Sequence, residues 1–483
     1  MNVARALVRA ASRLVSTPGP RTIPAIAVAL ALAGCAVGPN YKRPAVPLPQ
    51  QFRGADASEN SNSLADTKWF DLFQDDVLKQ LVQTALDRNY DLRIASERVI
   101  EARARLGTAR SNLFPTGGAS AQFNAINNSE IGSIRFLPRG VNPDVSYTQA
   151  GFTLGWELDV WGRLRRLTES ARAQYLASGE ARRGVITTLL ADVSSRYFQL
   201  RELDLELEIA RKTRDTAENS LRLTTLRRNR GVATGLDVHQ SEQFLYTATA
   251  QMANIERLIG QTENAINLLL GAQPGDVPRG KTLQEFMAPV EVPPGLPSKL
   301  LERRPDIREA EMSLVAANAE IGAAKAQFFP QISLTGFLGG QTRALSDLFT
   351  APGGFSNIVP GATAPIFNAG RIRSNVRVTE AQYRESLIDY EKTIQNAFRE
   401  VSDALIGYHR TREQRTQQEL LVKALVETDR LSRLRYEGGL DSYLQVLDAD
   451  RNLFQGELLQ SQLRREELLA VVQLYRALGG GWQ

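Results

Sequence analysis

Ala104–Pro115 reads ARLGTARSNLFP, and Ala319–Pro330 reads AEIGAAKAQFFP. Each stretch carries small residues at helical spacing and then Phe-Pro. Proline lacks the amide proton that a helix needs, and it pushes the residue before it toward extended conformations. Both stretches therefore predict a helix that stops at the same signal. The likeness continues upstream: at an offset of 215, Asp91–Pro115 aligns with Asp306–Pro330 with nine identities in 25 positions. Average composition would give roughly two. Two further blocks share an offset of 208: GRLRRLTESARAQY (Gly162–Tyr175) against GRIRSNVRVTEAQY (Gly370–Tyr383), and GVATGLDVHQSE (Gly231–Glu242) against GLDSYLQVLDAD (Gly439–Asp450). Three blocks in one order indicate a tandem internal duplication.

Each half follows one plan. A helix over Asp91–Leu113 or Asp306–Phe328 leads through Phe-Pro into two strand-like runs. A proline-free stretch follows, Gly162–Arg228 or Gly370–Tyr436, long enough as a helix to span on the order of 100 Å. A break at Gly231 or Gly438–Gly439 precedes a return helix ending at Leu270 or Leu478. Apolar and small residues recur at three- and four-residue spacing, as at Leu200, Leu203, Leu207 and Ala210, with charges between them, which suits coiled-coil packing.

The strand-like runs carry the membrane argument. In GFTLGWELDV (Gly151–Val160), Phe152, Leu154, Trp156, Leu158 and Val160 share one face, opposite Thr153, Gly155, Glu157 and Asp159. In ASAQFNA, Ala119, Ala121, Phe123 and Ala125 alternate with Ser120, Gln122 and Asn124. In the second half Ile332, Leu334 and Leu338 keep phase, whereas Phe337 does not. Such alternation fits a membrane barrel with a wet lumen, and equally an amphipathic sheet over a soluble core. No later segment has about 18 consecutive apolar residues, so a chain that spans a membrane must do so with strands. Four strands cannot close a barrel, and open edges in lipid leave backbone groups unpaired at several kcal/mol each. Several copies must pool their strands.

The N-terminus favours the membrane reading. Arg5, Arg9, Arg13 and Arg21 precede an apolar run, Ile23–Ala33, that ends in LAGC at Cys35. This is the pattern of a lipoprotein signal peptide, residues 1–34, with Cys35 as the acylated residue. An ordinary cysteine beside a cleaved signal is the alternative, but Cys35 is the only cysteine of the chain, which favours lipidation. Ala36 follows where aspartate would argue for inner-membrane retention, so the outer membrane is expected. Removing the four arginines would leave a formal charge of +1 out of +5, so the basic balance is no sign of nucleic-acid binding. Residues 35–70 read as an extended tether, 71–270 as the first repeat, 271–305 as a connector with seven of the 21 prolines, and 306–483 as the second repeat.

Catalytic signals are few. His239 and His409, the only histidines, form no ligand spacing, and no P-loop, dinucleotide fingerprint or nucleophile elbow occurs. An enzyme is not expected, and neither a metal nor another cofactor is implied.

The residues CAVGPNYKRP (Cys35–Pro44), the twin Phe-Pro ends, GGLDSYLQVLDADRNLF (Gly438–Phe454) and LYRALGGGW (Leu474–Trp482) resemble outer membrane factors of the TolC/OprM type, in the NodT-like efflux lipoprotein group. The resemblance covers the whole mature chain. It implies a mainly α fold with a small β part: a long α-helical barrel continuous with a trimeric, 12-stranded outer-membrane β-barrel, four strands per chain. It implies a homotrimer held in outer-membrane lipid. The trimer would serve as exit duct for an inner-membrane pump, commonly of the resistance-nodulation-division class, bridged by a periplasmic adaptor. Asp448 is implied as a pore-aperture residue, Asp441 as standing where a gate-locking arginine often stands, and Gln445 as replacing a family aspartate. Asp237 and Tyr436 match a gate-holding hydrogen-bond pair. A duct for type I protein secretion is the alternative of the same fold, and a periplasmic coiled-coil scaffold without a pore is the alternative of a different class. On the duct reading, Gly107, Ala109, Gly322 and Ala324 would let helices pack closely, and the Phe-Pro aromatics would lie near the membrane interface.

Overall fold

The structure, a computed structural model, describes residues 36–55, 63–127, 144–289 and 292–481. Its helices are α1 (Trp69–Phe73), α2 (Asp76–Arg88), α3 (Tyr90–Ser111), α4 (Arg163–Asn229), α5 (Gly235–Leu269), α6 (Pro297–Arg303), α7 (Pro305–Ala326), α8 (Arg371–Glu437) and α9 (Tyr443–Ala477). The two halves repeat their helix lengths: 22 residues in α3 and α7, 67 in α4 and α8, and 35 in α5 and α9. Four strands, β1 (Thr116–Ile126), β2 (Val145–Leu158), β3 (Gln331–Thr342) and β4 (Gly354–Thr363), form one antiparallel sheet in the order β1-β2-β3-β4. No described helix is long and apolar enough to cross a membrane, and leader residues 1–34 with Cys35 lie outside the described residues.

The chain divides into two compact units. The first contains the sheet, residues 36–43, Ala102–Tyr175 and Ser313–Leu387. Pairing of Ala121 with Ala150, of Phe152 with Leu338 and of Leu338 with Ser356 fixes the register. Because side chains alternate along a strand, this register puts Phe123, Phe152, Leu154, Leu338 and Ile358 on one face. Ser120, Gln122, Thr153, Thr335 and Asn357 share the other, where Gln122 donates to Gln149 at 3.3 Å. Phe337, out of phase in the sequence, lies on this polar face with its ring 5.8 Å from that of Phe355.

Both Phe-Pro pairs fall between a helix end and a strand start. Pro115 is followed at once by β1 and Pro330 by β3. Trp161 closes the second junction: its indole Nε1 donates to the Pro330 carbonyl at 2.9 Å, and its ring stacks on Phe329 at 4.7 Å. β2 ends at Leu158, two residues short of the alternating run. The Asp159 carboxylate there accepts from the amides of Leu164 and Arg165 at 2.9 and 2.8 Å, capping α4 and turning the chain out of the sheet.

Residues 36–40 are strapped to the same unit. Arg166, buried, donates to the Val37 and Gly38 carbonyls and, at 2.7 Å, to Asn40 Oδ1, while Asn318 donates to the Pro39 carbonyl at 3.0 Å. The small residue at Gly322 serves this strap: a Cβ there would stand 2.7 Å from the Val37 oxygen. A Cβ at Gly107, its counterpart, would meet nothing of this chain within 4 Å.

The second unit contains Pro44–Glu101, Leu176–Met312 and Ile388–Gln483. Its apolar stripes meet as coiled-coil spacing predicts: Leu203 and Ala210 of α4 pack with Ile255 of α5 and Phe454 of α9. An aromatic chain runs from Tyr475 through Trp69, Phe73 and Phe198 to Phe286, with ring centroids 4.8–5.3 Å apart. The proline-rich connector is tied in through Asp75. Its carboxylate accepts from the Leu78 and Lys281 amides, each at 2.8 Å, and from the Tyr197 hydroxyl, which itself accepts from the Gly280 amide. Burial pushes the Tyr197 hydroxyl up to about 12.

Candidate functional site

The long helices turn back in two places, at 230–234 between α4 and α5 and at 438–442 between α8 and α9. Each turn is built on one glycine in the left-handed region, Gly231 at φ 75° and Gly439 at φ 74°. The hydrogen bonds are those of a Schellman cap. Val232 donates to the Arg227 carbonyl and Gly231 to that of Arg228; Leu440 and Gly439 donate likewise to Arg435 and Tyr436. Thr234 then caps α5, and Ser442 stands at the corresponding place before α9.

Under the turns lies one apolar cluster: Ala217, Phe244, Tyr436, Tyr443, Val446 and Leu447. Tyr436 packs its ring 5.5 Å from Tyr443, and the Arg227 guanidinium lies over its face at 4.5 Å. The Tyr436 hydroxyl is buried with no hydrogen-bond partner. Burial pushes this phenol up, the charge of Asp237 adds to the rise, and Arg227 opposes it. Asp237 spends its carboxylate on its own helix end, accepting from the Thr234 amide at 2.8 Å and the Thr234 hydroxyl at 2.9 Å in a capping box. The two residues of the expected pair are thus electrostatic neighbours without a hydrogen bond between them in this chain.

Asp441, where the resemblance places a locking arginine, is itself gripped by one. Arg435 donates to its carboxylate at 2.5 and 3.1 Å, and that hydrogen bond holds the Asp441 carboxyl below its usual range. Asp448 is exposed on α9, on the same face as Leu444, Gln445 and Asn452, and accepts from Asn452 at 3.1 Å. Both histidines are peripheral to this arrangement. His239 is exposed and bonded to Glu242, and His409 packs edge-on to Tyr408. No cluster of potential metal ligands occurs among the described residues.

One feature of the turn region is not visible from motif reading. Asp450, two positions beyond Asp448, faces inward, because two residues advance a helix by about 200°. It pairs with Arg433 of α8, which also bonds Asp429 at 2.9 and 3.1 Å. The spacing Asp448-Ala449-Asp450 is the available signal: two carboxylates so spaced cannot face the same way.

Paired helices of these lengths, joined to a small antiparallel sheet, define the class of outer-membrane channels. The structure matches the open-state MtrE outer membrane channel of Neisseria gonorrhoeae with a TM-score of 0.82 and 32% identity, over 93% of this chain and 99% of that one. The chain belongs to the outer membrane efflux protein family, whose model matches residues 81–272 and 296–480. It is 39% identical over 470 residues to the solvent efflux pump outer membrane protein SrpC of Pseudomonas putida, covering 96% of this chain and 98% of SrpC. It is 36% identical over 462 residues to the cation efflux system protein CusC of Escherichia coli O6:H1, covering 94% and 98%.

Proposed function

We propose that three copies of this chain form the exit duct of a tripartite efflux system in the outer membrane, passively passing small molecules handed over by an inner-membrane pump and a periplasmic adaptor. The observation that carries this reading is the sheet. β1 and β4 are its outer strands, and its apolar face stands open, with Phe123, Phe152 and Ile358 exposed at 68%, 69% and 75%. In lipid such a face is solvated by acyl chains, but the two edges must find partners. Pooling four strands from each of three chains gives a twelve-stranded barrel with its polar face inward. The equal helix lengths support a tandem duplication, so that three chains place six similar helix pairs around one axis. The organisation expected from the sequence is retained: signal peptide 1–34, tether 35–70, repeats 71–270 and 306–483, and connector 271–305, with Cys35 as the acylated anchor.

Threefold symmetry makes each exposed carboxylate of the turns a ring of three, which favours cations at the mouth. Asp448 is the aperture residue on this reading. Asp441 with Arg435, and Asp237 with Tyr436 and Arg227, hold the turns that carry it. The pump is of the resistance-nodulation-division class. Cargo is chosen by the pump rather than the duct, as relatives named for solvents and for cations suggest. Native mass spectrometry and planar-bilayer recording of the detergent-purified protein test the reading. A trimer that conducts is the expected result, and a monomer or a silent trimer overturns it.

A further inference from the structure

The four long helices border a partly open cavity of about 160 Å³ behind the turns, lined from α4, α5, α8 and α9. Its charged lining is Lys212 on α4, Asp429 and Arg433 on α8, and Asp450 and Glu457 on α9; α5 contributes only the ring of Phe244. Asp450 is 6% exposed. One of its oxygens pairs with Arg433, and the other, Oδ2, is buried without a hydrogen-bond partner. An unpaired buried carboxylate oxygen is costly when charged, and much less so when a proton occupies the group. Arg433 is shared: its Nε–H is given to both oxygens of Asp429 and an Nη to Asp450, and the Asp429 carboxylate lies close enough to Asp450 to accept a proton carried there.

We infer that Asp450 is a positioning residue for the gate: a proton on its carboxyl locks the α8–α9 pair onto the α4–α5 pair, and loss of that proton loosens them. The inference rests on the aperture reading above. In the packed form the proton relieves the orphaned oxygen while Asp429 keeps Arg433 neutralised. When the helix pairs separate, water reaches the carboxyl, which ionises freely. The tyrosine beside the pair, Tyr443, keeps its own proton throughout, since burial raises it further from its ordinary value of 10.0.

The direction of the titration agrees. Burial, aided by the charge of Asp429 and opposed by Arg433, pushes the Asp450 carboxyl up from 3.8 to about 7. A raised carboxyl favours the packed form at low pH and loses that contribution as pH climbs through the folded value. Glu457 is also raised by burial, with Lys212 opposing, and shifts the balance the same way. Acid therefore closes the duct, and neutral to alkaline pH eases it open.

The test is open probability of the full-length trimer in planar bilayers between pH 5.5 and pH 8. For the natural protein it is expected to rise on the order of tenfold over that range. Asp450→Asn, isosteric and permanently neutral, is expected to abolish most of the rise. Asp448→Asn is expected to keep it, since Asp448 stands exposed on the opposite side of α9 and does not line this cavity. An undiminished rise in Asp450→Asn overturns the inference. If no variant conducts at any pH, the duct reading itself fails, and thermal melting in detergent decides the role of Asp450. A higher midpoint at pH 5.5 than at pH 8, with the difference reduced by Asp450→Asn, supports the proton site. An equal difference in both proteins overturns it.

Discussion

At Tyr436 a single hydroxyl separates two accounts of the gate. A phenol bonded to Asp237 would make the oxygen the holding group, but here that oxygen has no partner and Asp237 caps α5 instead. What the ring does possess is Arg227 over its face at 4.5 Å. Within the chain, Tyr436→Phe is therefore expected to be neutral or stabilising, since it removes a buried hydroxyl that makes no hydrogen bond. Arg227→Ala is expected to cost about 0.5–1 kcal/mol through the lost cation–π contact. Chemical denaturation of the two variants side by side checks the order; a larger loss in Tyr436→Phe would restore the hydroxyl to the holding role. Motif positions fix where a residue stands along a helix, so the sequence suffices to set Tyr436, Asp237, Asp441 and Asp448 beside the two turns. It does not supply their partners. Arg227 reaches Tyr436 from the other half of the chain, and Arg433 reaches Asp450 across a turn, and neither distance is written in sequence spacing.

Among the elements, glycine again separates what is readable from what is not. Gly439 stands in the left-handed region, and a Cβ added there would meet nothing within 4 Å, so its role is conformational alone. Gly439→Ala is expected to destabilise by about 1–2 kcal/mol, the cost of a left-handed L-residue. Gly322 is the opposite case. It lies inside α7, where alanine would ordinarily gain about 0.8–1.0 kcal/mol in helix propensity. Here a Cβ would press on the Val37 oxygen at 2.7 Å and on the Arg166 side chain at 2.9 Å. Gly322→Ala is therefore expected to destabilise despite better propensity and to release residues 36–40, seen as faster proteolysis within that segment; unchanged protection would show that the strap yields without cost. Helix existence and ends are legible because proline, glycine and apolar spacing are local signals. The α3 start at Tyr90 is one residue earlier than the sequence suggests, since Asn89 accepts from the Leu92 amide and caps the helix there. The strap is not legible, because it depends on Arg166 and Asn318 meeting a segment more than a hundred residues away.

For the whole molecule, the decisive quantity is the distance between the outer strands. Neighbouring strands stand about 4.8 Å apart, so β1 and β4 of one chain, separated by three such steps, are about 14 Å apart along the sheet. If chains pool their sheets, β4 of one copy instead lies a single step, about 4.8 Å, from β1 of the next. A thiol-reactive spacer of about 8 Å can then bridge copies but not the two edges of one sheet. Cysteines placed at Ala121 on β1 and Ile358 on β4 point to the same face, as the pairing of Ala121 with Ala150 and of Ile358 with Gly336 and Gly336 with Leu154 requires, and lie near mid-strand, so a register shift of a residue or two leaves them within reach. The doubly substituted protein, treated with the spacer in outer-membrane vesicles, is expected to run as covalent dimers and trimers with nothing larger. Each singly substituted protein, with cysteine on one edge only, should stay monomeric. A ladder continuing past three would mean an open array of sheets, and monomers alone would mean that the edges are covered by something other than another copy. A closed ring of copies pairs every strand edge and gives each long helix pair a neighbour on both sides, and the length of the covalent ladder counts the copies in it.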